Sequence, residues 1–224
     1  MANVINVAID GPAGAGKSTI ARLLAQRLGY LYLDTGAMYR AVALKVLRSN
    51  VAADDEKNIE KLLETTKLDI LYEGGVQKII LDGKDVSTDI RQPAISAYAS
   101  DVSKIKAVRL KMVDMQREIA LKQNSILDGR DIGTFVLPNA KYKIFLTASV
   151  EERAKRRYDE LRQKGVECSL EQIKKDIEVR DYNDSHREFA PLKKADDATE
   201  VDTSSMSIEQ VAQTLTEIIT GDGK

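Results

Sequence analysis

Residues 9–19 read IDGPAGAGKST, and their reading decides the fold. Gly11, Gly16, Lys17 and Ser18 stand at the spacing of the phosphate-binding loop, a glycine-rich turn between a strand and the start of a helix. The flanks agree with that placement. Val4 to Ile9 is a short apolar run that empties into Asp10-Gly11, as a buried parallel strand should. From Lys17 to Leu28 the residues Ile20, Leu23, Leu24 and Leu28 recur at helical spacing, and Gly29 supplies the stop. Gly11, Pro12, Ala13, Gly14, Ala15, Gly16, Lys17, Ser18 and Thr19 are therefore the expected ATP-binding segment. Its N–H groups and helix N-terminus attract phosphate oxygens, Lys17 reaches the β- and γ-phosphates, and Ser18 is the expected Mg²⁺ ligand. The loop alone leaves open whether the γ-phosphate is passed to another molecule, given to water to drive a motion, or sensed.

Working outward, Tyr30 to Leu33 is a second apolar strand ending in Asp34-Thr35-Gly36, and Ala37 to Leu47 returns to a helical pattern. Strand, helix, strand, helix is the signature of a parallel α/β sheet. The middle of the chain differs. Asp54 to Lys67 predicts an amphipathic helix, whereas Leu68 to Tyr72 and Lys78 to Leu81 are β-like runs separated by Glu73-Gly74-Gly75 and followed by Asp82-Gly83. Such short turns require antiparallel pairing, which makes residues 68–90 an inserted β element outside the main sheet. Ser103 to Lys122 predicts one long helix, Ser125 to Leu127, Lys143 to Thr147 and Glu200 to Thr203 the remaining core strands, and Ile208 to Ile219 a C-terminal helix. The expected fold is thus α/β: a three-layer P-loop core with a five-stranded parallel sheet.

Composition narrows the function classes. A chain of 224 residues suits one core with small attachments. With 34 Lys+Arg against 35 Asp+Glu, no whole-molecule basic field argues for nucleic acid or an anionic membrane, so anion binding must be local. No apolar run approaches the roughly 20 residues of a spanning helix. The one cysteine, Cys168, cannot form an internal disulfide and no leader opens the chain, so a cytoplasmic protein is expected. A single histidine, His186, excludes a multi-histidine metal site.

Three further clusters carry chemistry. DTGAMYR (34–40) and DGRDIGT (128–134) stand at expected carboxyl strand ends, where ligands gather in open parallel sheets. RDYNDSHR (180–187) adds two arginines and two aspartates. Between them lies the basic segment SVEERAKRRYDELRQKG (149–165), placed where a mobile cover over a nucleotide would stand. Arg40, Arg130, Arg156, Arg157, Arg180 and Arg187 exceed what an ATP loop needs, and guanidinium suits bidentate phosphate recognition. The surplus points to a second, phosphorylated substrate. Such an acceptor is already ionised near neutrality and needs no general base, although Asp128 or Asp131 remains available as one.

DGPAGAGKST, DTGAMYR, LDGRDIGT and RDYNDSHR, in this order and with a β insertion between the second and third, closely resemble the bacterial cytidylate kinase family of nucleoside monophosphate kinases. The likeness spans nearly the whole chain. It implies phosphorylation of CMP or dCMP by ATP with Mg²⁺, by a cytoplasmic monomer that binds neither nucleic acid nor membrane. It also implies a P-loop core (1–36, 100–148, 190–224), a monophosphate-binding domain (37–99, with the β insertion) and an arginine-rich lid with a flanking helix (149–189). By position, Thr35, Arg40, Ser100, Arg109, Arg130, Asp131, Arg180, Asp184 and Arg187 match the family's acceptor site. Ser100, Arg109 and Asp131 look like cytosine readers, Arg180 and Asp184 like ribose contacts, and Arg40, Arg130 and Arg187 stand near the phosphate. Arg153, Arg156 and Arg157 resemble lid arginines, and Lys17, Arg130, Arg153 and Arg157 are the expected catalytic set. Thr35 stands where some members carry serine, and Tyr182-Asn183 interrupts an often more charged stretch. Two rival readings are a kinase for UMP or a hydroxyl-bearing metabolite, and an ATP-hydrolysing switch. The lack of an Asn-Lys-x-Asp sequence disfavours a guanine-nucleotide switch.

Overall fold

A computed structural model describes residues 4–163 and 165–221; Lys164 of the basic segment and the expected outer core boundaries at 1 and 224 lie outside them. Five strands form the main sheet: β1 (Asn6–Asp10), β2 (Leu31–Asp34), β6 (Ser125–Gly129), β7 (Tyr142–Thr147) and β8 (Thr199–Asp202), in the order β2-β6-β1-β7-β8. β1 pairs in parallel with both β6 and β7, and β7 with β8. The register sets Asp10 opposite Gly129 and Phe145, so the chain leaves β1 and β6 at the same level of the sheet. The central strands β1 and β6 are apolar and buried through their middles, at Val7–Ile9 and Ile126–Leu127, with buried polar residues at Asp10, Ser125 and Asp128. Val7, Ile9, Ile126, Ile144 and Leu146 share one core with Ile20 and Leu24 of α1 (Lys17–Leu28) and with Val211 and Leu215 of α8 (Ile208–Thr220). A capping box fixes the start of α8: the Ser207 hydroxyl accepts from the Gln210 N–H, and the Gln210 side chain accepts from the Ser207 N–H.

The backbone divides into two compact units, one running up to Tyr32 and again from Gln123 onward, the other Leu33–Lys122. The division breaks the chain after Tyr32 and Lys122, whereas the expected core boundaries ran through 36 and from 100. The second unit holds α2 (Thr35–Arg48), α3 (Glu56–Thr65) and an antiparallel sheet of β3 (Leu68–Glu73), β4 (Val76–Leu81) and the short β5 (Lys84–Asp85). The inserted β element is thus a three-stranded sheet of its own.

The helix expected from Ser103 to Lys122 is present as α5 (Lys106–Ala120), and a further helix that the sequence reading did not expect precedes it. α4 (Pro93–Val102) starts with proline at its first position, where a missing N–H costs nothing, and buries Ile95, Ala99 and Val102 at helical spacing. Ile105, at φ −70° and ψ 121°, breaks the helical path before α5 (Lys106–Ala120). In the first unit, α6 (Val150–Gln163) and α7 (Leu170–His186) form a helical hairpin closed over Ala154, Leu161, Ile173 and Ile177, with half-buried Cys168 against it. No helix among the described residues is long and apolar enough to cross a membrane.

Candidate active site

The phosphate loop is shaped by close approach and by positive φ. Gly11, at φ +147°, passes so near β7 that a Cβ there would stand 2.0 Å from the Leu146 carbonyl oxygen. Gly16 is left-handed (φ +85°) and caps α1, which turns the first N–H groups of that helix toward the loop. Lys17 is buried, and its Nζ donates to the Pro12 carbonyl at 2.7 Å. Burial, and next the neighbouring Arg130 charge, hold its pKa well below the usual lysine value, with Asp128 and Asp184 opposing.

Beside the loop, the Ser18 hydroxyl donates to Asp128 Oδ2 at 2.7 Å, and the Tyr32 hydroxyl donates to Asp128 Oδ1 at 3.0 Å. Tyr32 therefore packs with the core and also orients a carboxylate at the end of β6. Ser18 and Asp128 place two hard oxygen donors side by side. That fits a Mg²⁺ ion, which takes one or two protein oxygens and completes its shell with water and substrate phosphates. No group of three or more Asp, Glu, His or Cys residues among the described residues is arranged to hold a metal.

Asp10 ties the loop's strand to the segment that follows β6. Its buried carboxylate accepts the N–H groups of Ile132 (2.8 Å) and Gly133 (2.7 Å), in a single π-helical turn over Ile132–Val136. Burial pushes its pKa up to about 6, although both N–H groups pull the other way.

The acidic and basic residues of the two remaining clusters of this unit come together. Arg130 Nε donates to Asp184 Oδ2 at 2.8 Å, and Arg187 Nη2 stands 3.3 Å from Asp131 Oδ1, with all four side chains largely buried. Burial disfavours the Asp184 carboxylate, but Arg130, Arg180 and Arg187 outweigh it and hold its pKa below the usual range. Burial likewise opposes the Arg130 charge and is outweighed by Asp184, Asp128 and Asp181.

The arginines expected in a lid are placed unequally. Arg153 is buried and donates from Nη1 to the Ala13 carbonyl (2.9 Å) and to Asp181 (2.6 Å). Arg156 is fixed on Glu152 and on the hydroxyl and carbonyl of Thr203. Arg157 is half-exposed and pairs with Glu160 on its own helix. Asp181 was read only as one of the two aspartates of 180–187 and given no role of its own, because its partners lie 28 and 168 residues away. His186 is exposed and stacks on Tyr182.

The second unit holds Thr35, Arg40, Ser100 and Arg109. Asp34 caps α2 by accepting the Ala37 N–H, and it also accepts from Arg40 Nη2 at 2.9 Å. Gln77 of β4 bonds the N–H and the carbonyl of Asp34, so the inserted sheet steadies the start of α2. Arg109 is 1% exposed, donates to the Ser103 carbonyl, and lies over the Tyr39 ring at 5.3 Å. The buried Ser100 Oγ and Arg40 Nε have no hydrogen-bond partner among the described residues.

A strand, a glycine loop bearing a buried lysine and a helix-capping turn, with a hydroxyl–carboxylate pair beside it, define a P-loop nucleotide-binding protein. Solved structures agree at the level of fold: shikimate kinase from Bacteroides thetaiotaomicron superposes with a TM-score of 0.50 over 97% of this chain and 99% of that one, at 13% identity. The family model for cytidylate kinase matches residues 7–221. The cytidylate kinase of Caldicellulosiruptor bescii is 57% identical over 96% of this chain and 95% of that protein. That of Lactobacillus johnsonii is 55% identical over 96% and 94%. The chain belongs to the cytidylate kinase family.

Proposed function

We propose that this chain transfers the γ-phosphoryl group of ATP to CMP and dCMP, releasing ADP with CDP or dCDP. Family membership supports the acceptor, and one structural observation carries the reading beyond nucleotide binding. The unit that holds the phosphate loop also holds Arg130, Arg180 and Arg187 around Asp184 and Asp131, far more fixed cationic charge than Lys17 alone supplies. Guanidinium held this way suits a second phosphorylated substrate.

A monophosphate acceptor arrives already ionised, so the protein's task is positioning and charge neutralisation rather than proton removal. Lys17 meets the β- and γ-phosphates, while Arg130 and Arg187 hold the acceptor phosphate with Arg40. Arg180 and Asp184 serve the ribose. Ser100, Arg109 and Asp131 read cytosine, and Thr35 supports them. The unpartnered buried Ser100 hydroxyl and Arg40 Nε favour this assignment, because such groups in native proteins find partners. The helical hairpin with its arginines is the lid; Arg157, whose pair among the described residues is an exposed one with Glu160, is the arginine freest to reach the transferring group. Mg²⁺ would be held by Ser18 and Asp128, where it neutralises charge on the β- and γ-oxygens. We assign the enzyme to the cytoplasm, where a lone thiol such as Cys168 stays reduced, and as a monomer in keeping with the family resemblance.

The test is ADP release with ATP and Mg²⁺ against CMP, dCMP, UMP, AMP, GMP and no acceptor. Turnover confined to CMP and dCMP is expected. Preferred turnover with UMP would move the acceptor assignment, and equal release without any acceptor would mark a hydrolase.

A further inference from the structure

The phosphate loop is gripped from the helical hairpin as well as from the sheet. Asp181, on α7, accepts the Ala13 N–H at Oδ1 (3.3 Å) and Arg153 Nη1 at Oδ2 (2.6 Å). Arg153 in turn donates to the Ala13 carbonyl and, from Nε, to the Ala148 carbonyl, each at 2.9 Å. Both backbone polar groups of Ala13 are therefore taken by one ion pair. Arg153 is only 4% exposed, and removing one partner of a buried pair leaves an uncompensated charge. A Cβ at Gly14 would stand 3.1 Å from Arg153 Cβ, so the helix and the loop are in close contact as well as bonded. Asp181 follows Arg180 directly and lies one helical turn before Asp184.

We propose that Asp181 is a positioning residue that couples the ATP loop to the acceptor residues Arg180, Asp184 and Arg187 of α7. The loop and the helix are joined at Ala13, so a nucleotide that fixes the loop also fixes the helix whose other side chains hold the acceptor. Binding of one substrate then lowers the cost of ordering the site for the other. The proposal rests on the kinase reading.

The measurement is the CMP dissociation constant by calorimetric titration, with and without a saturating non-hydrolysable ATP analogue, in wild type and in Asp181→Asn. The amide replaces one of the two acceptor oxygens by a donor, so it cannot satisfy Ala13 and Arg153 together. A wild-type ratio of about fivefold or more is expected. In Asp181→Asn the ratio should fall to near one while the affinity for CMP alone stays within about twofold of wild type, a change that general loss of stability would not produce. If Asp181→Asn unfolds too readily to titrate, Arg153→Lys removes the same bridge by losing the guanidinium fork, and should show the same loss of coupling. Coupling absent in wild type, or retained in the variant, overturns the proposal. Wild type that shows no CMP-dependent turnover defeats the kinase reading itself, whereas active enzyme with coupling intact in Asp181→Asn defeats only the role given to Asp181.

Discussion

Asp10 shows how far one residue's chemistry is set by its place in the sheet. Its carboxyl is raised from 3.8 to about 6 by burial, despite two N–H donors. The folded state therefore holds this proton more tightly than the unfolded chain does, so the contribution of Asp10 is most favourable below the unfolded value, declines as pH rises between the two, and is level above about 6. In equilibrium unfolding, the stability of Asp10→Asn relative to wild type should climb by roughly 2 kcal/mol between about pH 4 and pH 6. A pH-independent difference would contradict the assignment. Gly11 makes a steric prediction. Alanine there combines a disfavoured φ with a Cβ 2.0 Å from the Leu146 oxygen, so Gly11→Ala should lose more than about 2 kcal/mol in denaturant titration. Lys17→Ala should lower kcat by about 10²-fold or more while leaving the unfolding midpoint unchanged or raised, because it removes a buried cation along with a phosphate contact.

At the scale of elements, the hairpin of α6 and α7 carries a small core of its own, which includes the buried Leu161. Leu161→Ala should cost about 2–4 kcal/mol and, in hydrogen exchange, lower protection across 150–186 more than across β1 and β6. Equal loss everywhere would mean that the hairpin does not open separately. Elements with local signatures were legible in the sequence: the glycine loop, the helix behind it, the antiparallel insertion and the C-terminal helix. α4 was not, although Pro93 at its first position and Ile95, Ala99 and Val102 on one face are visible in retrospect. Its ten residues follow a turn-rich stretch, and only burial against other segments distinguishes them from a loop. The strand pair that ends at Asp10 and Gly129 was legible as two apolar runs, but not as neighbours, since their pairing joins residues more than a hundred positions apart. The same distance left Asp181 without a role in the sequence reading, and hid that the Arg153 guanidinium is bonded to Ala13 and Asp181.

For the molecule as a whole, a near-balanced charge leaves anion binding to a few buried cations rather than to a general field. Ligands that bind only the folded chain should then stabilise it by mass action. CMP at about a hundred times its dissociation constant should add about 2.7 kcal/mol to unfolding, and UMP at the same concentration less, as thermal melts would show. The family was legible from four short motifs because three of them sit where a strand ends, and strand ends are where this fold gathers its chemistry, while the fourth lies at the end of α7. What most directly tests the central claim is the fate of the γ-phosphate. With ATP labelled in that group, Mg²⁺ and CMP, the label is expected to appear in CDP at the rate at which ADP forms, with little inorganic phosphate. Label appearing chiefly as inorganic phosphate, with CMP unchanged, would contradict phosphoryl transfer between nucleotides.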